Sequence, residues 1–201
     1  MFKPMNSTPE IHLSVVIPAF NEELNVVPVL EETLRVLSAE AAMGPFEIIV
    51  VNDGSRDGTG ARAEEYAARH SNVRVMHHPE NRGIGAALRT GYAAARGQWV
   101  VATCADGEVP VSDVVELMKR TPDADLVVSA RQRQPGSGKR QLFSRIYHRL
   151  TNLLVGFDLS GMEGIYLIRR DVLDDLALTS STPLLNLEII MQCVARGCRI
   201  A

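Results

Sequence analysis

Cysteine is scarce in this sequence: Cys104, Cys193 and Cys198 are the only three in 201 residues. The count is odd and no pair stands at a metal-ligand spacing, which argues against a disulfide scaffold and fits a reducing cytoplasm. Long apolar runs are missing as well. No stretch approaches the roughly 18 consecutive apolar residues of a membrane span. Residues 1–10 carry one lysine and no apolar core, so they read as a flexible lead-in and not as a signal peptide. Nor is there an excess of positive charge. A formal net charge of −3 leaves no electrostatic footprint for a nucleic-acid partner. Internal repeats and low-complexity tracts are absent too. What remains, 46% hydrophobic and 22% charged residues, suits a single domain with a sizeable core, expected over 11–201. The closing Arg199-Ile200-Ala201 reads as the opening of a strand, and the expectation is that the domain is truncated there.

Apolar runs of strand length alternate with segments of helical period. Leu13 to Ile17 is a β-branched strand that Pro18 is expected to close. Leu24, Val27, Leu30, Leu34 and Leu37 then recur at helical steps, with Pro28 delaying the helix to about Val26. Strands follow at Phe46–Val51, Val73–His77, Trp99–Ala102 and Asp125–Ser129, with helices near Thr59–Arg69, from Ile84, and at Val111–Met118, where Ser112 or Asp113 would cap. This βαβαβ rhythm with apolar strands predicts an α/β fold: a mainly parallel sheet flanked by helices. Ligands of such sheets bind at the carboxyl ends of strands, which directs attention to Pro18–Glu22, Asn52–Ser55 and Cys104–Glu108.

Each of those segments has a plain structural reading beside a functional one. Pro18-Ala19-Phe20-Asn21-Glu22 serves either as a strand end with an Asn helix cap or as an aromatic and a carboxylate flanking a base and ribose. Asn52-Asp53-Gly54-Ser55 is either an ordinary turn or a carboxylate that accepts from a base while Gly54 lets backbone approach closely. Asp53, Ser55, Asp57, Gly58 and Glu64 nearly match a calcium-loop spacing, but a strand precedes them where an EF-hand needs a helix, so calcium is rejected. Gly83 and Gly85, opening a helix, fit either small-residue packing or close approach to ligand phosphates. Cys104-Ala105-Asp106-Gly107-Glu108 ends the fourth strand. Its two acids are either a polar turn or hard oxygen ligands for a divalent metal that bridges a pyrophosphate.

Taken together, the blocks Val16–Glu22, Val50–Thr59 and Asn81–Ala87 resemble the inverting family 2 glycosyltransferases of GT-A fold, and most closely the dolichyl-phosphate-mannose synthase-like branch with its bacterial polyprenyl-phosphate glycosyltransferases. The resemblance runs from about Leu13 to the last residue. It implies a donor pocket of Pro18, Ala19, Phe20, Asn21, Glu22, Asp53, Gly54, Gly83, Gly85 and Asp106, taking a UDP- or GDP-sugar. It also implies a Mg2+ or Mn2+ ion held by Asp106 and Glu108. The family's Asp-x-Asp motif is broken, since Cys104 replaces the first Asp, and a thiol suits these cations poorly. Asp106 and Glu163 are the catalytic carboxylates the resemblance implies, although Ser160-Gly161-Met162-Glu163-Gly164 departs from the relatives' pattern.

Over 142–154 the apolar residues Leu142, Phe143, Ile146, Tyr147, Leu150, Leu153 and Leu154 fall within an arc of roughly 140°. Polar and basic residues fill the other side, so 139–155 reads either as a helix packed on its own sheet or as one lying on an anionic membrane surface. Relatives carry their lipid-phosphate acceptor near this segment, which implies a place at the cytoplasmic membrane face. Arg131 is assigned to acceptor or donor phosphate. The leading expectation is therefore sugar transfer to a polyprenyl phosphate. A sugar-nucleotide-binding module without turnover is the alternative that Cys104 motivates. A nucleotidyltransferase would need a Gly-rich basic loop after the first strand, and none is there.

Overall fold

The computed structural model describes residues 11–107, 109–129 and 165–201. Six strands form one sheet: β1 (Leu13–Ala19), β2 (Phe46–Asn52), β3 (Val73–His77), β4 (Trp99–Ala102), β5 (Leu126–Val128) and β6 (Tyr166–Arg169), in the order β3-β2-β1-β4-β6-β5. β1 pairs in parallel with β2 and β4, and β2 with β3. β6 runs antiparallel to both β4 and β5. The sheet is thus mostly parallel, as the apolar strands imply, with one reversed strand that periodicity did not predict.

Pro18 does not close β1. It pairs with Val51 of β2 inside the strand. The reason lies in the alternation of the backbone. Val16 accepts from the Thr103 N–H on the β4 side and Ala19 from the Asp53 N–H on the β2 side. Pro18 therefore turns its nitrogen toward β4, which ends at Ala102, and no ladder donor is required there.

Helices cover both faces. On one side lie α1 (Val26–Ala39), α2 (Thr59–Ala67) and α4 (Val111–Met118), and on the other α3 (Ile84–Ala94), α5 (Arg170–Asp174) and α6 (Leu185–Ala195). α1 buries Val26, Leu30, Thr33 and Leu37, a stripe at three- and four-residue steps. Pro28 stands in its first turn, where a missing N–H costs no helical bond. α2 stops two residues short of the predicted Arg69. Pro110 occupies the cap position of α4, and neither Ser112 nor Asp113 caps it. Alternate strand residues feed the two cores: Leu13, Val15 and Ile17 with Ile48 and Val50 on one face, Val16 with Ile49 and Val51 on the other. At the outer edge of β5, Ile200 forms a parallel bridge with Leu126. Among the described residues no helix is long and apolar enough to cross a membrane.

Candidate functional site

Four parallel strands point their carboxyl ends to one rim, and the loops there are tied to each other. After β1 the chain turns through Asn21, whose φ of 56° is unusual for a side-chain-bearing residue and tolerated best by short polar ones. Asn21 is not a helix cap. Its N–H donates to Ser55 Oγ at 3.0 Å and its Oδ1 accepts from the Arg56 N–H at 2.9 Å. The next two amides continue the seam, Glu22 N–H to Thr59 Oγ1 at 2.8 Å and Glu23 N–H to Asp57 Oδ2 at 3.2 Å. Glu23 returns the contact by accepting from the Gly58 N–H at 3.1 Å. The turn residues that mimic a calcium loop thus spend their oxygens separately. Asp57 faces Thr59 and Glu23, while Glu64 meets His77 at 2.9 Å.

Asp53, one residue past β2, is buried. Its Oδ1 accepts from the Arg82 N–H at 3.0 Å and faces His78 Nδ1 at 2.6 Å, and its Oδ2 accepts from the Gly83 N–H at 2.9 Å. Three of about four acceptor positions on the carboxylate are therefore in use. Gly54 follows with φ 69°, and a Cβ there would lie 2.3 Å from the Glu80 carbonyl carbon, so only glycine fits between the β2 and β3 loops. Gly85 is needed for another close approach. Its N–H donates to Ser181 O at 3.0 Å, and a Cβ would stand 2.4 Å from Ser181.

These loops enclose a cavity of about 330 Å³ at the rim, within the size range of small-molecule sites. Its wall comes from Pro18 and Ala19 at the end of β1, Phe20 and Glu22 just after it, Asp53 after β2, and Cys104, Ala105 and Asp106 after β4. Asn81, Gly83, Ile84 and Ala87 close it from the α3 side. Phe20 is 42% exposed and presents a ring edge or face to solvent. Glu22 accepts from the Asn25 amide at 2.8 Å. Three acidic residues, Glu22, Asp53 and Asp106, line this space, and among the described residues no lysine or arginine does. Of the residues predicted for the donor pocket, Pro18, Ala19, Phe20, Glu22, Asp53, Gly83 and Asp106 line the cavity. Asn21, Gly54 and Gly85 instead hold its loops in place. Glu108, Arg131, Glu163 and the 139–155 segment lie outside the described residues. Among those described, no cluster of three metal-ligating side chains occurs.

Sequence reasoning missed the contribution of β3. His78 is buried beneath Asp53, and its Nε2 lies 2.9 Å from Thr90 Oγ1 of α3. The signal was available in principle, since His77-His78 ends a parallel strand on the same rim, but two histidines at a strand end read equally as solvated.

Comparison with known proteins bears on the same residues. The family model described as glycosyl transferase family 2 matches residues 14–177. A dolichyl-phosphate beta-glucosyltransferase of Trichomonas vaginalis is 36% identical over 154 residues, covering 72% of this chain and 47% of that protein. A dolichol-phosphate mannosyltransferase of Saccharomyces cerevisiae is 32% identical over 128 residues, covering 64% and 47%. The chain thus spans about half the length of these curated relatives. Among solved structures, glucosyl-3-phosphoglycerate synthase of Mycobacterium tuberculosis, crystallised with Mg2+ and uridine diphosphate, superposes with a TM-score of 0.69 at 24% identity, covering 95% of this chain and 68% of that one. The architecture is the GT-A fold.

Proposed function

The chain belongs to glycosyl transferase family 2, and from that premise we propose that it moves a sugar from a UDP- or GDP-sugar onto a polyprenyl phosphate with inversion at the anomeric carbon. The observation that carries this reading is the cavity at the carboxyl ends of β1, β2 and β4, walled by an exposed aromatic and three carboxylates. Phe20 offers a stacking surface to a base, and the remaining acceptor position of Asp53 suits a base N–H. A diphosphate brought beside Asp106 and Glu22 meets negative charge, so a cation must accompany it.

The donor chemistry fits such a cation. Mg2+-type ions are commonly held by one or two carboxylates together with substrate phosphates. Asp106 supplies one carboxylate on the cavity wall, and Glu108 is the second by sequence. When bound, the ion neutralises charge that builds on the departing diphosphate. Cys104 contributes a soft thiol where a hard oxygen would serve better. For the transfer, a phosphate oxygen of the acceptor attacks the anomeric carbon as the bond from that carbon to the diphosphate breaks. The nucleoside diphosphate leaves with the electron pair. A phosphate acceptor is already ionised near neutral pH, so no strong general base is required. Glu163 and Arg131 stay assigned to the transfer step and to a phosphate contact, and segment 139–155 to the anionic membrane face that would present the lipid.

The test is donor binding by calorimetry with UDP-glucose and GDP-mannose, with and without Mn2+, alongside transfer of labelled sugar to polyprenyl phosphate. Binding of one donor with Mn2+-dependent transfer is the expected result. Cys104→Asp should tighten Mn2+ binding roughly tenfold, because affinity follows the charge of the ligand set. Binding without transfer would make the protein a sugar-nucleotide-binding module, and no binding to either donor would overturn both readings.

A further inference from the structure

Asp53 and His78 form a buried acid–imidazole pair at 2.6 Å, with side chains only 4% and 5% exposed, unlike the solvent-exposed Glu64–His77 pair nearby. The histidine is held from three directions. Its backbone N–H donates to Asn52 O at 2.9 Å, its Nδ1 faces Asp53 Oδ1, and its Nε2 faces the Thr90 hydroxyl at 2.9 Å. An ionised carboxylate only accepts, so Nδ1 carries a proton and donates to Asp53. In the neutral ring Nε2 then accepts from the Thr90 hydroxyl. The imidazole does not line the cavity, whereas Asp53 does. Asp53 in turn clamps the Arg82 and Gly83 amides, one on each oxygen.

We propose that His78 is a positioning residue for nucleotide binding: it fixes the rotamer of Asp53, and through Asp53 it sets the 81–84 loop that forms one wall of the cavity. This inference rests on the donor-site reading above. Without the Nδ1 donor, Asp53 Oδ1 keeps only the Arg82 amide, a buried carboxylate is undersatisfied, and it turns to recover a partner. The loop it clamps then loses its fixed register with the cavity. The reacting atoms lie at the Asp106 end, so the loss should fall on donor affinity and KM while kcat at saturating donor is retained.

Two replacements separate the two ends of the ring. The amide nitrogen of asparagine takes the place of Nδ1, and that of glutamine the place of Nε2. His78→Asn therefore keeps the bond to Asp53 and drops Thr90, while His78→Gln does the reverse. UDP and GDP binding would be measured by calorimetry with Mn2+ on wild type, His78→Asn, His78→Gln and Thr90→Val, with thermal melting of each. Hydrogen–deuterium exchange over residues 80–86 would report the clamp directly. The expected result is about tenfold weaker nucleotide binding and faster exchange for His78→Gln, the size of losing one charge-assisted hydrogen bond. His78→Asn and Thr90→Val should stay within about threefold of wild type. A purely structural role would make affinity follow the melting temperature across the set, or leave the asparagine and glutamine variants alike, and either outcome overturns the proposal. Should wild type bind neither nucleotide, the donor-site reading itself fails and takes this one with it. Wild-type binding with an unaffected His78→Gln overturns the role of His78 alone.

Discussion

Glu47 shows at a single residue how this sheet tolerates a carboxylate in strand β2, beside the apolar run Ile48–Val51. Glu47 is 3% exposed, at the end of the strand opposite the cavity. Its Oε1 accepts from Ser14 Oγ and the Arg96 N–H, both at 2.7 Å, and its Oε2 accepts from Arg74 Nε and Nη2 at 3.1 and 2.7 Å. A buried charge survives only when paired and hydrogen-bonded, and here both conditions are met by residues 27 to 49 positions away. Glu47→Ala would take the acceptor from the Ser14 hydroxyl, leave the Arg96 amide with only its 3.2 Å contact to Ser14 Oγ, and leave a mostly covered guanidinium with Ala94 O. The expected cost is about 2–4 kcal/mol, read from the urea midpoint. Nucleotide affinity should remain near wild type, because nothing on the cavity wall changes. A variant as stable as wild type would show that these partners find water as readily as they find Glu47. The same residue marks a limit of reading from sequence. Periodicity places Glu47 inside a strand, but it cannot name a partner that only the pairing of β1, β2 and β3 brings near. Asp53 and His78 illustrate this at the site, where the acid was legible as a strand-end carboxylate and its imidazole partner was not.

At the scale of elements, the first five strands and α1 to α4 were legible because each carries a clean signal. β-branched runs gave strands, three- and four-residue apolar steps gave helices, and Gly-rich or Asp-rich turns separated them. The elements after residue 164 were not. Tyr166-Leu167-Ile168-Arg169 runs straight into Arg170–Asp174 without a glycine or proline between strand and helix. α6 carries apolar residues on most sides, with Leu187 and Met191 beside the buried Leu185, Ile189, Ile190 and Cys193, so its period is blurred. Helix α3 is the element that most constrains the site, since its first turn closes the cavity and Thr90 holds His78. Its approach to β1 depends on Gly91, where a Cβ would lie 2.2 Å from Val16 Cγ1. In an exposed helix Gly→Ala gains about 1 kcal/mol. Overpacking a core costs about 1–3 kcal/mol, and at 2.2 Å the clash should win. Gly91→Ala is therefore expected to lower stability by roughly 1–2 kcal/mol, and Val16→Ala in the same chain should recover part of the loss. A Gly91→Ala protein with a raised melting temperature would mean that α3 is free to lift from β1.

Across the whole molecule, the sheet is closed on its reversed side by one acid. Asp125, just before β5, accepts from Arg169 Nη1 of β6 at 2.6 Å and from Arg199 Nη2 at 3.0 Å, and its Oδ2 accepts from the Arg199 N–H at 2.9 Å. The backbone supports the same junction, with the Asp125 N–H donating to Arg199 O and the Arg169 N–H to Asp125 O. Three segments separated by 30 or more residues thus meet at one carboxylate. The Arg199 hydrogen bond, with both arginine charges behind it, holds the Asp125 carboxyl down to about 2, from an ordinary value of 3.8. A carboxyl whose folded pKa is depressed stabilises the fold fully above its unfolded pKa and loses that contribution as pH falls through the folded one. The window is therefore about pH 4 down to about pH 2. Asp125→Asn should unfold at lower urea than wild type at pH 7, and the gap between the two midpoints should hold down to about pH 4 and then narrow toward pH 2. A gap that stays constant through that window would assign the stabilisation to packing or to the backbone bonds. A gap that closes above pH 5 would place the titrating group elsewhere. Because this junction sits on the far side of β4 from the rim cavity, nucleotide affinity at pH 7 should be the same in both proteins if that cavity is the donor site, and a loss of affinity in Asp125→Asn would show that β5 and β6 brace the Asp106 rim.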